Sequence, residues 1–238
     1  MIPASFDYEV AESVEAALAA LEADGDAKLL AGGHSLIPAM KLRLARPTKL
    51  VDIGRLSDLA YVRDAGTHVA VGALTTHTAV ASAPLLQEHC PIVSYTAGQI
   101  GDPQVRHRGT LGGTTAHGDP ASDMPAVLLA LGADLVVTGK GGERVVPATE
   151  FFTGVFMTAV GPGEMLTEIR VPKLGDSTGW AYLKANRRAQ DWATVGVAAL
   201  VHRDNGAITG ASVGLVNMGG TPLRAKATED ALASGASV

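Results

Sequence analysis

Residues 106–126 read RHRGTLGGTTAHGDPASDMPA, a glycine- and proline-rich stretch in a chain that is otherwise 47% hydrophobic. It runs into SDMPAVLLALG (122–132). That segment predicts a helix, with Ser122 as its cap, Pro125 in the first turn and Gly132 at its end. The pair Gly112–Gly113 lies just upstream, and glycines side by side let a backbone come close to something else. What approaches decides the reading. A second stretch, LLAGGHSL (29–36), has the same grammar: Gly-Gly, then hydroxyl or imidazole side chains. It falls between an expected strand and an expected helix start. Such a bend points N–H groups at one spot, where the helix dipole favours negative charge. One bend of this kind suits a phosphate; two suit a pyrophosphate clasped from both sides. A single Gly-Gly pair is ordinarily only a turn. Neither stretch fits G-x-x-x-x-G-K-S/T or a strand-borne G-x-G-x-x-G, so neither a P-loop nor a dinucleotide fingerprint is supported. Pattern alone stops at an α+β protein with a candidate anion site.

Working outward, SVEAALAALEAD (13–24) carries Val14, Ala17, Leu18 and Leu21 at helical spacing behind a Ser13 cap. KLLAGG (28–33) predicts a short strand, SLIPAMKLRLA (35–45) a helix capped by Ser35, and KLVDI (49–53) a second strand. Residues 1–55 thus form a β-α-β unit. HVAVGAL (68–74) alternates as a strand, and residues 75–100 predict helix broken near Pro84 and Pro91. A hairpin follows around GKGG (139–142), then a strand at 163–172. LGDSTG (174–179) reads as a linker into long strands, and TEDALASG (228–235) starts a helix where the chain stops. A β-rich unit of about sixty residues is thin for an independent domain, so the last domain is expected to be truncated.

The bulk numbers narrow the class. Net charge is −5, which disfavours nucleic-acid binding. No apolar run reaches membrane-span length and the N-terminus lacks signal-peptide character, so the expectation is a soluble, cytoplasmic protein. Cys90 is the single cysteine. It makes no internal disulfide and holds no iron–sulfur cluster, which takes about four thiolates. It reads as a small buried residue, and any redox chemistry must use an organic cofactor. His34, His107 and His117 lie far apart without Cys or Glu partners at ligand spacing, so no metal site is expected. Asp123 has a bland role available, complementing the helix dipole by about 0.3–1 kcal/mol; contact with a nucleotide is the sharper alternative. Arg187–Arg188 reads as a solvated turn, and Trp192 as core or interface before cofactor stack.

AGGHSLIPAMKLRLARPTKLVDI, DPQVRHRGTLGGTTAHGDPASDMPA, FFTGVFMTAVGPGEMLTEIRVP and DWATVGVAA together resemble the FAD-binding medium subunit of molybdenum hydroxylases, over almost the whole chain and in order. Within that group the look is nearest to carbon monoxide dehydrogenase; xanthine dehydrogenase carries the equivalent domain. The resemblance implies an α+β fold: two FAD-binding subdomains of the vanillyl-alcohol-oxidase type (1–55 and 56–175), then a small α+β C-terminal domain (176–238), incomplete here. It implies FAD held by Lys28, Leu29, Leu30, Ala31, Gly32, Gly33, His34, Ser35 and Leu36 in a first loop. Thr110, Leu111, Gly112, Gly113 and Thr114 form a second. Thr114 stands where relatives often have Asn or Asp, so one side-chain contact is weaker or replaced. Ser122 and Asp123 reach the adenosine end, Ile100 packs, Leu166 gives a backbone contact, Lys184 lies near the flavin, and Trp192 shields one ring face. No residue is expected to be catalytic as an acid, base or nucleophile.

By the same resemblance, a large subunit carries the molybdenum cofactor and a small one two 2Fe–2S clusters, assembled as a dimer of heterotrimers. Electrons reach an external acceptor through FAD, and a location against the inner face of the membrane is open. Carbon monoxide is the first expected substrate of the complex, with purines, aldehydes and N-heterocycles open, and two other readings stand beside this one. A self-contained flavoprotein oxidoreductase needs its own substrate cap, for which the C-terminal part leaves little room. A nucleotide-binding assembly module without flavin is disfavoured by the intact glycine loops.

Overall fold

The computed structural model describes residues 2–235. The N-terminal unit comprises β1 (Asp7–Val10), α1 (Val14–Ala23), β2 (Lys28–Leu30), α2 (Leu36–Lys41) and β3 (Lys49–Asp52). Its sheet has the order β1-β3-β2, with both pairings parallel. The β-α-β expectation holds, and β1 joins it as a further strand. Ser13 caps α1 by accepting the Ala16 amide, while Ala17, Leu18 and Ala20 face the core. Helix α2 is shorter than the expected 35–45: it stops at Lys41, and Arg43 turns to a φ of 60°. Ser35 sits at its N-cap position but makes no side-chain cap bond.

The middle of the chain holds β4 (Val62–Asp64), β5 (His68–Gly72), α3 (His77–Ser82), α4 (Pro84–His89), α5 (Pro91–Gly98), α6 (Pro103–Arg108), α7 (Leu111–His117), α8 (Asp123–Leu131), β6 (Asp134–Gly139), β7 (Gly142–Pro147), α9 (Ala148–Phe151), β8 (Phe152–Gly154), β9 (Met157–Thr158) and β10 (Met165–Pro172). Five of its strands form an antiparallel sheet, β4-β5-β10-β6-β7. Pro84 and Pro91 each open a new helix, where their missing N–H costs nothing. Helix α8 is buried from Asp123 to Ala130, as an all-round apolar helix must be. Gly132 closes it in the left-handed region, while Ser122 occupies the cap position without a side-chain bond.

The last unit is an antiparallel meander, β11 (Thr178–Ala185), β12 (Val195–Asp204), β13 (Ala207–Val216) and β14 (Leu223–Arg224), followed by α10 (Lys226–Ala233). It lies on α8. A Cβ on Gly214 would fall 2.2 Å from the Ala126 carbonyl oxygen, so only glycine lets β13 sit this close to the helix. Tyr182, Ala193, Ala198, Leu200 and Val216 belong to the same hydrophobic core as α8 and β10. A second core gathers Ala17, Leu18, Val51 and Ile53 of the N-terminal unit with Leu56, Leu59, Leu74 and Met165.

Candidate functional site

A cleft of about 640 Å³ opens between these two cores. That is within the range of small-molecule sites, about 300–1,000 Å³. Its first wall is the β2–α2 connection. Gly33 takes a φ of +77°, which L side chains rarely adopt. Among the described residues, no intramolecular acceptor takes the amides of Gly32, Gly33, His34 or Ser35. They form an open row of donors. The opposite wall is the start of α7. The two walls touch: a Cβ on Gly32 would lie 2.1 Å from the Arg108 carbonyl oxygen and 2.9 Å from Gly109 Cα. Two glycine stretches some eighty positions apart are therefore one junction.

The second wall differs from the sequence expectation. TLGGTTA is no glycine loop but the first turn and body of α7, with Thr110 as N-cap accepting the Gly113 amide at 3.0 Å. The Leu111 amide donates to Thr75 O and the Gly112 amide to Ala73 O, each at 2.9 Å. The segment just after β5 has thus consumed donors that an anion cradle would need. Gly112 is glycine because Ala73 leaves no room: a Cβ would meet the Ala73 Cβ at 2.4 Å. The second wall offers the cleft Thr110, Gly113 and the Thr114 hydroxyl instead.

Lys28 to Leu36, Ile100, Thr110, Gly112, Gly113, Thr114, Ser122, Asp123, Leu166, Lys184 and Trp192 all line this one cleft. Leu111 does not; its side chain is fully buried in the larger core. Trp192 is 64% exposed, so it lies at the cleft without being a core residue. Leu166 sits at a register shift of β10 against β6, between Leu166 and Glu168, which frees this segment from regular pairing. Asp123 is spoken for. Lys184 Nζ lies 2.9 Å from its Oδ2, and Tyr182 donates its hydroxyl to Oδ1. Lys184 also donates to Gln99 O. The pair's side chains are only 7% and 6% exposed. Burial, then the adjacent Asp123 charge, pushes the Tyr182 hydroxyl far up, so it stays a donor.

Sequence reasoning missed several lining residues. His77 heads α3, and its Nε2 lies 2.9 Å from Thr114 Oγ1. Burial, helped by the positive charge of Arg106, brings its pKa down to about 4. His117 stacks at 5.0 Å on Phe156, and burial lowers its pKa as well. The turn 161–164 is pinned by Glu164, which accepts from the Gly161 amide and pairs with Arg144. Only His77 carried a signal in the sequence, a histidine directly behind a Thr cap in TTHT. Cys90 is buried, and burial pushes its thiol up to about 12, leaving it unreactive. Among the described residues, no three His, Cys, Asp or Glu side chains gather as metal ligands, and no helix is long and apolar enough to cross a membrane.

This geometry suits an elongated anionic cofactor, and comparison with known proteins names one. The profile of the FAD binding domain in molybdopterin dehydrogenase matches residues 4–174, and that of the CO dehydrogenase flavoprotein C-terminal domain matches residues 180–236. The chain belongs to the family of FAD-binding oxidoreductase subunits of the molybdenum hydroxylases. Within that family it is 44% identical to the carbon monoxide dehydrogenase medium chain of Hydrogenophaga pseudoflava, over 94% of this chain and 78% of that one. It is 41% identical to the 6-hydroxypseudooxynicotine dehydrogenase complex subunit alpha of Paenarthrobacter nicotinovorans, over 98% and 79%. A solved structure of the Hydrogenophaga pseudoflava carbon monoxide dehydrogenase superposes with a TM-score of 0.97 at 45% identity, covering 100% of this chain and 83% of that one. The fold is thus the expected α+β FAD-binding architecture with a C-terminal domain.

Proposed function

We propose that the cleft grips the diphosphate of FAD between the open amides of Gly32–Ser35 and the hydroxyls of Thr110 and Thr114. The Gly32–Gly109 junction carries this reading, since it brings a row of unpartnered donors against a hydroxyl-bearing helix start. The donor set fits: main-chain N–H and hydroxyl groups recognise phosphate oxygens without needing a fixed cation. Trp192 flanks the ring end and Ile100 and Leu166 supply apolar packing. Asp123 and Lys184, expected at opposite ends of the cofactor, are in contact with each other and so face the same part of it, with Ser122 beside them. FAD, when bound, supplies the redox capacity that no side chain here has. The chain's own residues bind, orient and shield it, and none need act as a catalytic acid or base.

On this reading the chain is the medium subunit of a molybdenum hydroxylase. It receives electrons from 2Fe–2S clusters of a small subunit, downstream of a molybdenum cofactor in a large one, and passes them to an external acceptor. A dimer of heterotrimers in the cytoplasm is the assembly, and segments 1–55, 56–175 and 176–238 are its working units. Similarity to carbon monoxide dehydrogenase medium chains makes carbon monoxide the proposed substrate of the complex. The test is to purify the chain with its partners and record the visible spectrum on adding carbon monoxide. Flavin bleaching supports the assignment. A flavin-replete complex that bleaches only with an aldehyde or an N-heterocycle moves the substrate, and a complex without flavin removes the reading.

A further inference from the structure

We propose that His77 is a positioning residue for the cleft: it holds the Thr114 hydroxyl so that its proton is offered outward, to an anionic oxygen of the bound cofactor. The inference rests on the FAD reading above and deepens it.

His77 is 1% exposed, and its two ring nitrogens have different fates. Nε2 meets Thr114 Oγ1, whereas Nδ1 is buried with no partner among the described residues. A neutral imidazole carries one N–H and one lone pair. Were the proton on Nδ1, a buried N–H would be orphaned, which native proteins rarely tolerate; an orphaned acceptor is tolerated better. The proton therefore belongs on Nε2, donated to Thr114. The threonine oxygen is then an acceptor on the inner side, and its own proton must point elsewhere. The neighbouring Thr115 shows the usual destination, donating to Leu111 O one turn back at 2.8 Å. Thr114 makes no such bond and lines the cleft. The ring cannot turn away easily, because Gly109 packs on it: a Cβ there would touch His77 Cδ2 at 3.0 Å. Burial keeps the imidazole neutral through the physiological range, so the arrangement does not switch with ordinary changes in pH.

The experiment is a double-mutant cycle on the rate of FAD release from the purified complex, followed by flavin fluorescence. Thr114→Val is expected to speed release about tenfold or more, the scale of one hydrogen bond to a charged oxygen. His77→Phe should do nearly the same, the double variant no worse than Thr114→Val alone. His77→Gln, whose amide reaches as Nε2 does, should restore slow release. Additive effects, or a Gln variant as leaky as Phe, would overturn the proposal. If His77→Phe does not accumulate as folded protein, His77→Asn, with its shorter reach, replaces it against His77→Gln. Gly32→Ala separates the two readings. If it releases FAD while Thr114→Val does not, the proposal about His77 falls alone; if neither does, the cleft assignment falls with it.

Discussion

At the scale of single residues, three glycines near the site serve different ends. Gly33 is needed for its positive φ, Gly32 for the contact between walls, and Gly112 for packing on Ala73. Gly32→Ala is therefore expected to force the walls apart and lower flavin content at least tenfold, while circular dichroism stays near that of the wild type. Unchanged flavin absorbance per chain would count against the junction. Gly113→Val is a poorer probe. Its Cβ would collide with the Thr110 hydroxyl at 2.7 Å, so lost flavin would report a broken helix cap as much as a blocked cofactor. His77 carries a pH signature. Its folded pKa of about 4 lies below the ordinary value of 6.5, so the unfolded chain binds more protons between those values. Stability then falls as pH drops from 6.5 toward 4. Denaturant titrations of wild type and His77→Gln should converge at low pH, because the variant lacks this slope.

Elements explain where the sequence was readable. The helix breaks at Pro84 and Pro91, the 134–147 hairpin and the core helix α8 carry strong local signals, and each stands where expected. Strand β1 is mostly exposed, so DYEV shows no alternation to read. Helices α6 and α7 were illegible for another reason. Helix α6 is only six residues long and buries no apolar stripe, while α7 carries two glycines and two threonines, poor helix formers, and forms because the Thr75 and Ala73 carbonyls accept its first amides. That is tertiary information. The tie between elements is sharpest at Asp123, whose carboxylate joins the head of α8 to β11 through Tyr182 and Lys184. Lys184→Met strands a buried carboxylate and should cost about 3–5 kcal/mol in chemical denaturation; a loss within the error of measurement would mean water reaches the pair. At the far end of the same sheet, Glu229 accepts from Arg224 and the Val213 amide. Burial alone would raise its carboxyl, but these bonds, with Lys226, bring it down to about 2. The stability it contributes is present above its ordinary pKa of 4.5 and is lost as pH falls toward 2. Arg224→Met should flatten that acid limb of the denaturation curve.

For the whole molecule, most of the candidate cleft's lining was legible because it follows short motifs, Gly32–Gly33 and Thr110–Thr114, that the fold brings into contact. The inequality of the two walls was not legible, since it depends on the carbonyls of Ala73 and Thr75, just after β5, and on an imidazole from α3. Nor was the union of the C-terminal meander with the α8 core, which turns a thin β-rich unit into part of a larger body.

The separation of the hydrophobic interior into two clusters has a thermodynamic consequence. The smaller cluster, through Leu74 and Met165, is what holds the N-terminal lobe on the central sheet, so that lobe opens by breaking this cluster alone, and a cofactor bound across the cleft as proposed would act as its rivet. Saturation at a hundredfold over the dissociation constant would add about 2.7 kcal/mol to that lobe's resistance to opening. Amide exchange in β1, β2 and β3 should slow on flavin addition far more than exchange in α8, which is sealed already.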